Sequence, residues 1–200
     1  FVTSYVARDH APYSDIGIVS AEGGKPIHNI TNTGYFDTNP RWALDGNAII
    51  FASERFGMRN HASWGSQSDV MAIFLNRKAY DEYRMNEEEY ELYSAQNKKA
   101  EKPEEKKDDK KKKDKKKTEE VKSKDIVIEW DNIEDRIVRL TPNASELGDA
   151  LITKDGKTLY YMVSFEDGYD LWSHDLRKRS TKLIKKLNQG FARLRMDKDG

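Results

Sequence analysis

The sequence predicts an all-β fold made of repeated four-stranded antiparallel sheets. One observation is an Asp-Gly pair that occurs three times, as Asp45-Gly46, Asp155-Gly156 and Asp199-Gly200. Another is that each pair follows, by fifteen residues, an apolar residue that closes a strand-like run, namely Ile30, Leu140 and Ile184. Because Asp and Gly accept positive φ most readily, an Asp-Gly pair between β-rich runs predicts a type I′ hairpin turn.

The residues around these pairs have strand character. Residues 41–44 and 48–52 flank the first pair, and residues 150–153 and 158–163 flank the second; both sets are rich in branched and aromatic side chains. A third strand is predicted after a recurrent Asp, which occurs as Asp15, Asp69 and Asp170. A fourth is predicted over 136–140 and 181–187. One repeat is therefore a four-stranded meander.

The length of the repeat indicates a β-propeller. Asp155 and Asp199 are 44 residues apart, and one propeller blade has roughly 40 to 45 residues. Asp45 and Asp155 are 110 residues apart, so one blade carries 66 extra residues, most of them between its third and fourth strands. We expect Asp15, Asp69 and Asp170 to accept hydrogen bonds from neighbouring backbone or hydroxyl groups and so fix the register between blades.

The prediction is a partial β-propeller, because such rings usually close with about four to eight blades. It places the last three strands of one blade at 1–31, an interrupted blade at 32–141, a complete blade at 142–188 and the first strand of a further blade at 189–200. We therefore expect the sequence to be a piece of a longer protein.

The insertion in the second blade covers about residues 77–124 and has two parts. Residues 79–97 are Glu-rich, contain no Gly or Pro, and carry Tyr pairs at helical spacing, which predicts a helix that packs on the blade. Residues 98–124 contain 14 Lys and 8 Asp or Glu but only two apolar residues. Such a segment cannot bury enough surface to offset its ordering entropy, so we expect disorder.

The composition excludes several classes of site and partner. The formal net charge is zero and Cys is absent, so disulfides and thiolate metal sites are excluded. The Lys run lacks Arg and aromatic residues and has acids interleaved, which favours a solvated loop over a nucleic-acid interface. No apolar run approaches the roughly 20 residues of a membrane span, so no membrane insertion is expected.

Two stretches resemble known families. In 39–53, Pro40, Trp42 and the first Asp-Gly pair precede an apolar strand, which is similar to the repeat of TolB-type propellers. The longer stretch from Arg55 to Val70, continued after the insertion from Asp131 to Thr141, resembles the propeller region of bacterial tricorn-like serine peptidases, relatives of the carboxyl-terminal processing proteases. This resemblance covers essentially the whole chain.

The resemblance implies a large serine peptidase in which propellers precede a PDZ module and a catalytic domain, and guide or filter peptides toward the active site. The expected partners are peptide or protein substrates, the remaining blades, and the PDZ and catalytic domains of the same chain; a homo-oligomer stays open. The resemblance also implies export to the periplasm, with a cytoplasmic location as the alternative. Two other functions remain: a TolB-like protein-binding propeller, and the propeller of a prolyl oligopeptidase-like enzyme.

The sequence offers contact residues but no active site. It has no Gly-x-Ser-x-Gly elbow, no His-Glu-x-x-His motif and no phosphate-binding or dinucleotide-binding loop, so we expect no catalytic residue, metal or cofactor in this segment. The long loop between the second and third strands of the interrupted blade carries polar and aromatic side chains suited to holding peptide backbone or carboxylate. These candidates are Arg59, His61, Trp64 and Gln67. The alternative is that Trp64 caps its own blade and Arg59 pairs with a neighbouring acid.

Overall fold

The chain forms three consecutive antiparallel sheets, seen in a computed structural model. The structure describes residues 1–7, 9, 11–59, 65–100, 125–191 and 193–197. The strands are β1 (Val2–Tyr5), β2 (Asp15–Ile18) and β3 (His28–Asn29) in sheet 1; β4 (Asp37–Ala43), β5 (Ala48–Ser53), β6 (Asp69–Phe74) and β7 (Ile137–Arg139) in sheet 2; and β8 (Glu146–Ile152), β9 (Thr158–Ser164), β10 (Tyr169–Asp175) and β11 (Ser180–Gln189) in sheet 3.

Each sheet is a meander in which every strand pairs with the next in the sequence. Sheets 2 and 3 have the predicted four strands and sheet 1 has three. The all-β fold of successive four-stranded sheets is therefore confirmed, and it is that of a partial, propeller-like array.

Sheet 2 packs against sheet 1 with one face and against sheet 3 with the other, because both of its faces are apolar. Side chains alternate between the two faces of a strand. Ile50 and Phe74 lie in a core cluster with Leu159 and Val163 of sheet 3. The side chains on the opposite face of β5 and β6 form a second core cluster with Ile16 of β2 and Ile30, which follows β3. The members of this cluster from sheet 2 are Ile49, Phe51, Met71 and Ile73. The near-continuous apolar runs of β5 and β6 are thus explained by burial on both faces.

The insertion contains two helices rather than the single helix predicted over 79–97. They are α1 (Arg77–Arg84) and α2 (Glu87–Ala100). Met85 is extended between them, with φ −60° and ψ 138°. Asn86 then caps α2: its Oδ1 accepts from Glu89 N, and Glu89 Oε2 accepts from Asn86 N, both at 2.9 Å. This capping box is a helix start signal that the sequence prediction overlooked.

The predicted disordered segment is only partly within the described residues. The backbone at 98–100 continues α2, so the helix extends three residues into the predicted range. Residues 101–124 lie outside the described part of the chain. No helix in the described ranges combines the length and apolarity needed to cross a bilayer.

The Asp-Gly pairs form turns of two kinds. Asp45 and Gly46 have φ of 51° and 85°, and Asn47 N donates to Leu44 O at 3.0 Å, which is the predicted type I′ turn. In the second pair only Gly156 has positive φ, 68°, so the type I′ prediction is wrong there. The carboxylate of Asp155 instead accepts from Thr153 Oγ1 and Lys157 N, at 2.6 and 3.0 Å, and so stabilises a different local turn. Asp199-Gly200 lies outside the described residues.

Candidate peptide-contact rim

The strand ends divide the array into two rims. The segments that join successive sheets lie at one edge of the meanders, together with the β1–β2 connection of sheet 1 and the connections between the second and third strands of sheets 2 and 3. We call this edge the loop rim; its described segments include 11–14, 30–36, 54–59, 65–68, 140–145 and 165–168. The turns at Asp45-Gly46 and Asp155-Gly156 and the two helices lie at the opposite edge, the turn rim.

Asp69 anchors the loop rim of sheet 2. It begins β6, is fully buried, and its Oδ1 accepts from Thr141 Oγ1 at 2.7 Å and Arg139 Nε at 2.9 Å. Arg139 Nη2 also lies 2.8 Å from the same oxygen. The Thr141 hydroxyl accepts from Val70 N at 3.2 Å. Asp69 therefore ties the start of the third strand to the end of the fourth.

Asp15 repeats this arrangement in sheet 1. It is fully buried at the start of β2. Its carboxylate accepts from Asn29 Nδ2 at 2.9 Å and Thr33 N at 2.8 Å, and Thr31 Oγ1 lies 3.4 Å from Oδ1. The Thr31 hydroxyl accepts from Ile16 N at 3.0 Å, as the Thr141 hydroxyl accepts from Val70 N. The two sites thus use Asp and Thr at equivalent positions.

Asp170 does the same in sheet 3 with backbone donors. Its Oδ1 accepts from Leu187 N at 2.6 Å and Asn188 N at 3.0 Å. The hydrogen bonds from Asn188 and Leu187 hold the pKa of this carboxyl below its ordinary value. The partners given above for Asp69 and Asp170 lie at the end of the fourth strand of the same sheet, whereas those of Asp15 include Thr33 in the connection to sheet 2. For sheets 2 and 3 this corrects the expectation that the Asp fixes register between blades.

The fifteen-residue spacing does not mark equivalent residues in sheet 3. Ile30 and Leu140 are buried, with 0% and 3% exposure, whereas Ile184 is 50% exposed. The cause is the length of β11, ten residues with two irregularities in its pairing to β10. The residues that meet the recurrent Asp are consequently Leu187 and Asn188, beyond Ile184.

The serines before Asp15 and Asp69 link neighbouring sheets. Ser14 O accepts from Asp37 N at 2.9 Å, and Ser14 Oγ donates to Asp37 O at 2.9 Å. Ser68 and Ser145 exchange backbone hydrogen bonds of 2.8 and 3.0 Å. Asp37 begins β4, and Ser145 directly precedes β8. Each Ser-Asp pair therefore closes its own sheet through Asp and joins the next sheet through Ser.

Two of the four predicted contact residues lie in the described part of the loop rim. Arg59 is exposed, and its guanidinium lies 4.7 Å from the ring centroid of Tyr35, in the connection from sheet 1 to sheet 2. Gln67 N donates to Met58 O at 2.8 Å and so closes the base of the loop. His61 and Trp64 lie outside the described residues.

The sequence reasoning missed the side chains that surround Arg59. Phe56 and Met58 are 52% and 60% exposed. The guanidinium groups of Arg55 and Arg139 lie 5.4 and 5.2 Å from the Phe56 ring centroid. A large exposed aromatic next to cations was visible in the sequence as Arg55-Phe56. The contact of Arg139 with Phe56 was not visible in the sequence, because Arg139 follows the insertion and Phe56 precedes it.

The turn rim is occupied by the helices of the insertion. Tyr80 and Tyr83 pack on Phe74 of sheet 2, with ring centroids 5.9 and 4.9 Å apart, as expected for a packing helix. Arg177, in the turn after β10, donates from Nη1 to the carbonyls of Glu82 at 3.0 Å and Met85 at 2.8 Å. These carbonyls lie at the end of α1, where a cation is stabilising.

Further contacts secure α2 to the same turn. The Arg177 guanidinium lies 3.7 Å from the ring centroid of Tyr90, and Lys178 Nζ lies 3.1 Å from Glu87 Oε1. Tyr93 donates from its hydroxyl to Glu82 Oε1 at 2.8 Å, which joins the two helices. The two helices of the insertion are therefore attached to sheet 3 at the turn rim.

The described histidines belong to packing contacts. His174 Nδ1 lies 2.8 Å from Thr181 Oγ1, and burial lowers the pKa of its imidazole. His28 lies against Trp130, with ring centroids 4.8 Å apart. Within the described ranges, no group of three or more His, Cys, Asp or Glu side chains is arranged to hold a metal ion.

Comparisons with known proteins give a distant structural likeness. No family model and no curated protein matches the sequence. Among solved structures, the chain is similar to a crystal structure of the tricorn protease, with 12% identity over 92% of this chain and a TM-score of 0.49. The chain spans 16% of the length of that structure.

Proposed function

We propose that this chain is a noncatalytic propeller segment of a tricorn-like serine peptidase and that its loop rim contacts peptide substrates before they reach a downstream catalytic domain. The sequence resemblance over 55–70 and 131–141 supports the peptidase assignment. The observation that carries the peptide-contact role is an exposed surface at the loop rim where two cationic side chains flank two apolar ones: Arg55, Phe56, Met58 and Arg59.

The chemistry of this surface suits an extended peptide. A guanidinium can donate two parallel hydrogen bonds to a carboxylate, or single ones to backbone carbonyls. Phe56 and Met58 offer apolar area to a peptide side chain, and Met adapts to different shapes. Arg139 is bound to the buried carboxylate of Asp69, so its charge is already balanced. Arg55 and Arg59 thus supply the cationic character of the surface.

Peptide binding to the whole chain tests this role. Fluorescent peptides of about ten residues, with either a free carboxylate or an amide at the carboxyl terminus, would be titrated by anisotropy. We expect Arg59→Ala and Phe56→Ala each to weaken binding about fivefold to thirtyfold, the range of about 1 to 2 kcal/mol for an interface contact. Arg77→Ala is the matched control, because Arg77 is an exposed arginine on α1 at the turn rim. Equal losses in all three variants would contradict a loop-rim site.

The peptidase assignment has its own test in the extended reading frame. We expect a PDZ-like module and a serine peptidase domain downstream of this segment, and an export signal consistent with a periplasmic location. An α/β-hydrolase domain with a Gly-x-Ser-x-Gly elbow would instead favour the prolyl oligopeptidase-like alternative. A reading frame that ends soon after ring closure would favour a TolB-like binding propeller.

A further inference from the structure

The loop rim carries an exposed phenylalanine in the same connection of sheets 2 and 3. Phe56 follows β5 and Phe165 follows β9, so both lie between the second and third strands of their sheets. Their side chains are 52% and 58% exposed. Single exposed apolar side chains are common on protein surfaces, so the groups around each ring decide whether it can bind a ligand.

A cavity of about 360 Å³ opens beside Phe165. Trp172 forms one wall, and its ring lies edge-on to Phe165 with the centroids 5.6 Å apart. Leu183, the partner of Trp172 in β11, forms another wall. The volume lies within the range of about 300 to 1,000 Å³ that is usual for ligand sites. The cavity therefore has room for one long side chain of a peptide.

The cavity lies on the face of sheet 3 that packs on sheet 2. Tyr161 belongs to the core cluster that joins these two sheets, and Trp172 packs on that cluster. The outer part of the face is open, as the 47% exposure of Leu183 shows. A further sheet of the array would pack on the opposite face, as sheet 3 packs on the second face of sheet 2. The cavity would then stay accessible to a ligand.

The charged groups that are available at this cavity are acidic. Glu166 and Asp167 line it and are exposed. Within the described residues, neither has an ion-pair partner. The cation in the lining, Lys186, faces Asp170: backbone hydrogen bonds lower the pKa of the Asp170 carboxyl, and the positive charge of Lys186 lowers it further. These two charges offset each other, which leaves two negative charges for a ligand.

The two sheets thus present opposite charges beside the same kind of ring. The guanidinium groups of Arg55 and Arg139 lie 5.4 and 5.2 Å from the centroid of Phe56. In contrast, two acids directly follow Phe165 in the sequence. A ligand group that suits Phe56 and its cations is therefore the wrong one for Phe165.

A basic side chain has the chemistry that this cavity requires. Lysine and arginine combine an apolar stem with a cationic head. The stem can lie against the rings of Phe165 and Trp172, which also attract a nearby cation. The head can then reach the carboxylates of Glu166 and Asp167. An acidic side chain would instead be repelled by both carboxylates.

We propose that the cavity beside Phe165 is a subsite for a lysine or arginine side chain of a bound peptide. This inference rests on the proposed peptide-contact role of the loop rim and adds a substrate class to it. Peptides with a basic residue at the position that enters the cavity are favoured over peptides with an acidic residue there.

Peptides that differ at a single position test the subsite. The fluorescent peptide would carry Lys, norleucine or Glu at each position in turn and would be titrated by anisotropy against the whole chain. At one position we expect Lys to bind about threefold to tenfold more tightly than Glu, since each exposed charge pair contributes modestly. Norleucine, which keeps the stem without the charge, should be intermediate. Added salt should reduce the preference for Lys, because it screens exposed charges.

Two matched double variants separate the cavity from the overall charge of the chain. Glu166→Gln/Asp167→Asn keeps the shape of the cavity and removes its negative charge, so the Lys and Glu peptides should bind equally and the norleucine peptide should bind as before. The control, Glu88→Gln/Glu91→Gln, removes two exposed acids of α2 at the turn rim and should keep the preference for Lys. Phe165→Ala should weaken the Lys and norleucine peptides alike, by about threefold to tenfold.

A failure of the subsite can be told apart from a failure of the proposed function. If peptides bind and lose affinity in Arg59→Ala, but show no preference for Lys, the subsite is wrong and the contact at sheet 2 stands. A preference for Lys that persists in Glu166→Gln/Asp167→Asn, or that is lost in the control, would also overturn the subsite. Binding of no peptide to the wild type would overturn both proposals.

Discussion

Sheets 2 and 3 have the same strand plan but differ in how much of their surface is covered. In sheet 2, consecutive residues of β5 and β6 are buried on both faces, for example Ile49 and Ile50. In sheet 3, every residue of the edge strand β11 is exposed, including Leu183 and Ile184. A meander of this kind is therefore fully buried only where a neighbouring sheet packs on each of its faces. We expect the contribution of a sheet to the free energy of unfolding to depend on how much of its surface is buried rather than on the length of its strands.

The strongest test of this contrast is the core of sheet 2. Phe74 is 1% exposed and contacts Tyr80, Tyr83 and the cluster shared with sheet 3. We expect Phe74→Ala to lower the free energy of unfolding by about 3 to 5 kcal/mol, because it removes buried area and leaves a cavity. Chemical denaturation monitored by Trp fluorescence would measure this. A loss below about 1 kcal/mol would contradict a covered sheet 2.

The recurrent Asp residues give the next largest difference. Asp69→Asn should lower the free energy of unfolding by about 3 kcal/mol, because it leaves the Arg139 guanidinium without its charged partner in a mostly buried site. Asp170→Asn should cost much less, since its partners are two exposed backbone amides. Similar losses for the two variants, measured by denaturant unfolding, would contradict the expectation that burial of the carboxylate decides its contribution.

A smaller and local effect is expected at the turn rim. Arg177→Ala removes two hydrogen bonds to the end of α1 and the contact with Tyr90, worth about 1 to 2 kcal/mol together. The helices should then open more often while the sheets stay protected, which hydrogen exchange would show as roughly tenfold faster exchange in α1. Lys78→Ala, on the exposed side of α1, is the control. Unchanged exchange would mean that the packing of Tyr80 and Tyr83 on Phe74 holds α1 without Arg177.

The smallest effect is predicted on the uncovered face of sheet 3. Leu183→Ala should change the free energy of unfolding by no more than about 0.5 kcal/mol, because Leu183 is 47% exposed in this chain. A loss comparable to that of Phe74→Ala would mean that β11 is covered in solution, for instance by another copy of the chain. Sedimentation at several protein concentrations would then identify that copy.

The sequence predicted what depends on local chemistry. Runs rich in branched and aromatic residues correctly predicted the sheets, and the Asp-Gly pair at 45 and 46 correctly predicted one type I′ turn. The recurrent Asp was correctly identified as a hydrogen-bond acceptor, although the partners found for Asp69 and Asp170 lie within the same sheet. Strands, tight turns and local hydrogen-bond acceptors depend on a few adjacent residues, so they can be predicted without knowing the tertiary contacts.

The sequence could not predict what depends on distant partners. The position of Arg139 beside Phe56 and Asp69 brings together residues on opposite sides of the insertion. Attachment of the insertion through Arg177 joins residues about ninety positions apart. The irregular pairing of β11 moved the true counterpart of Leu140 away from Ile184, because strand length and bulges are set by the neighbouring strand.

Hydrogen exchange across the three sheets tests the central claim most directly, namely that sheet 2 is covered on both faces by its neighbours. We predict that the amides of β5 and β6 exchange slowest, at the rate set by global unfolding, and that those of β11 exchange fastest among the strands of sheets 2 and 3. Equal protection of β5, β6 and β11, or faster exchange in β5 and β6, would contradict the stacked arrangement.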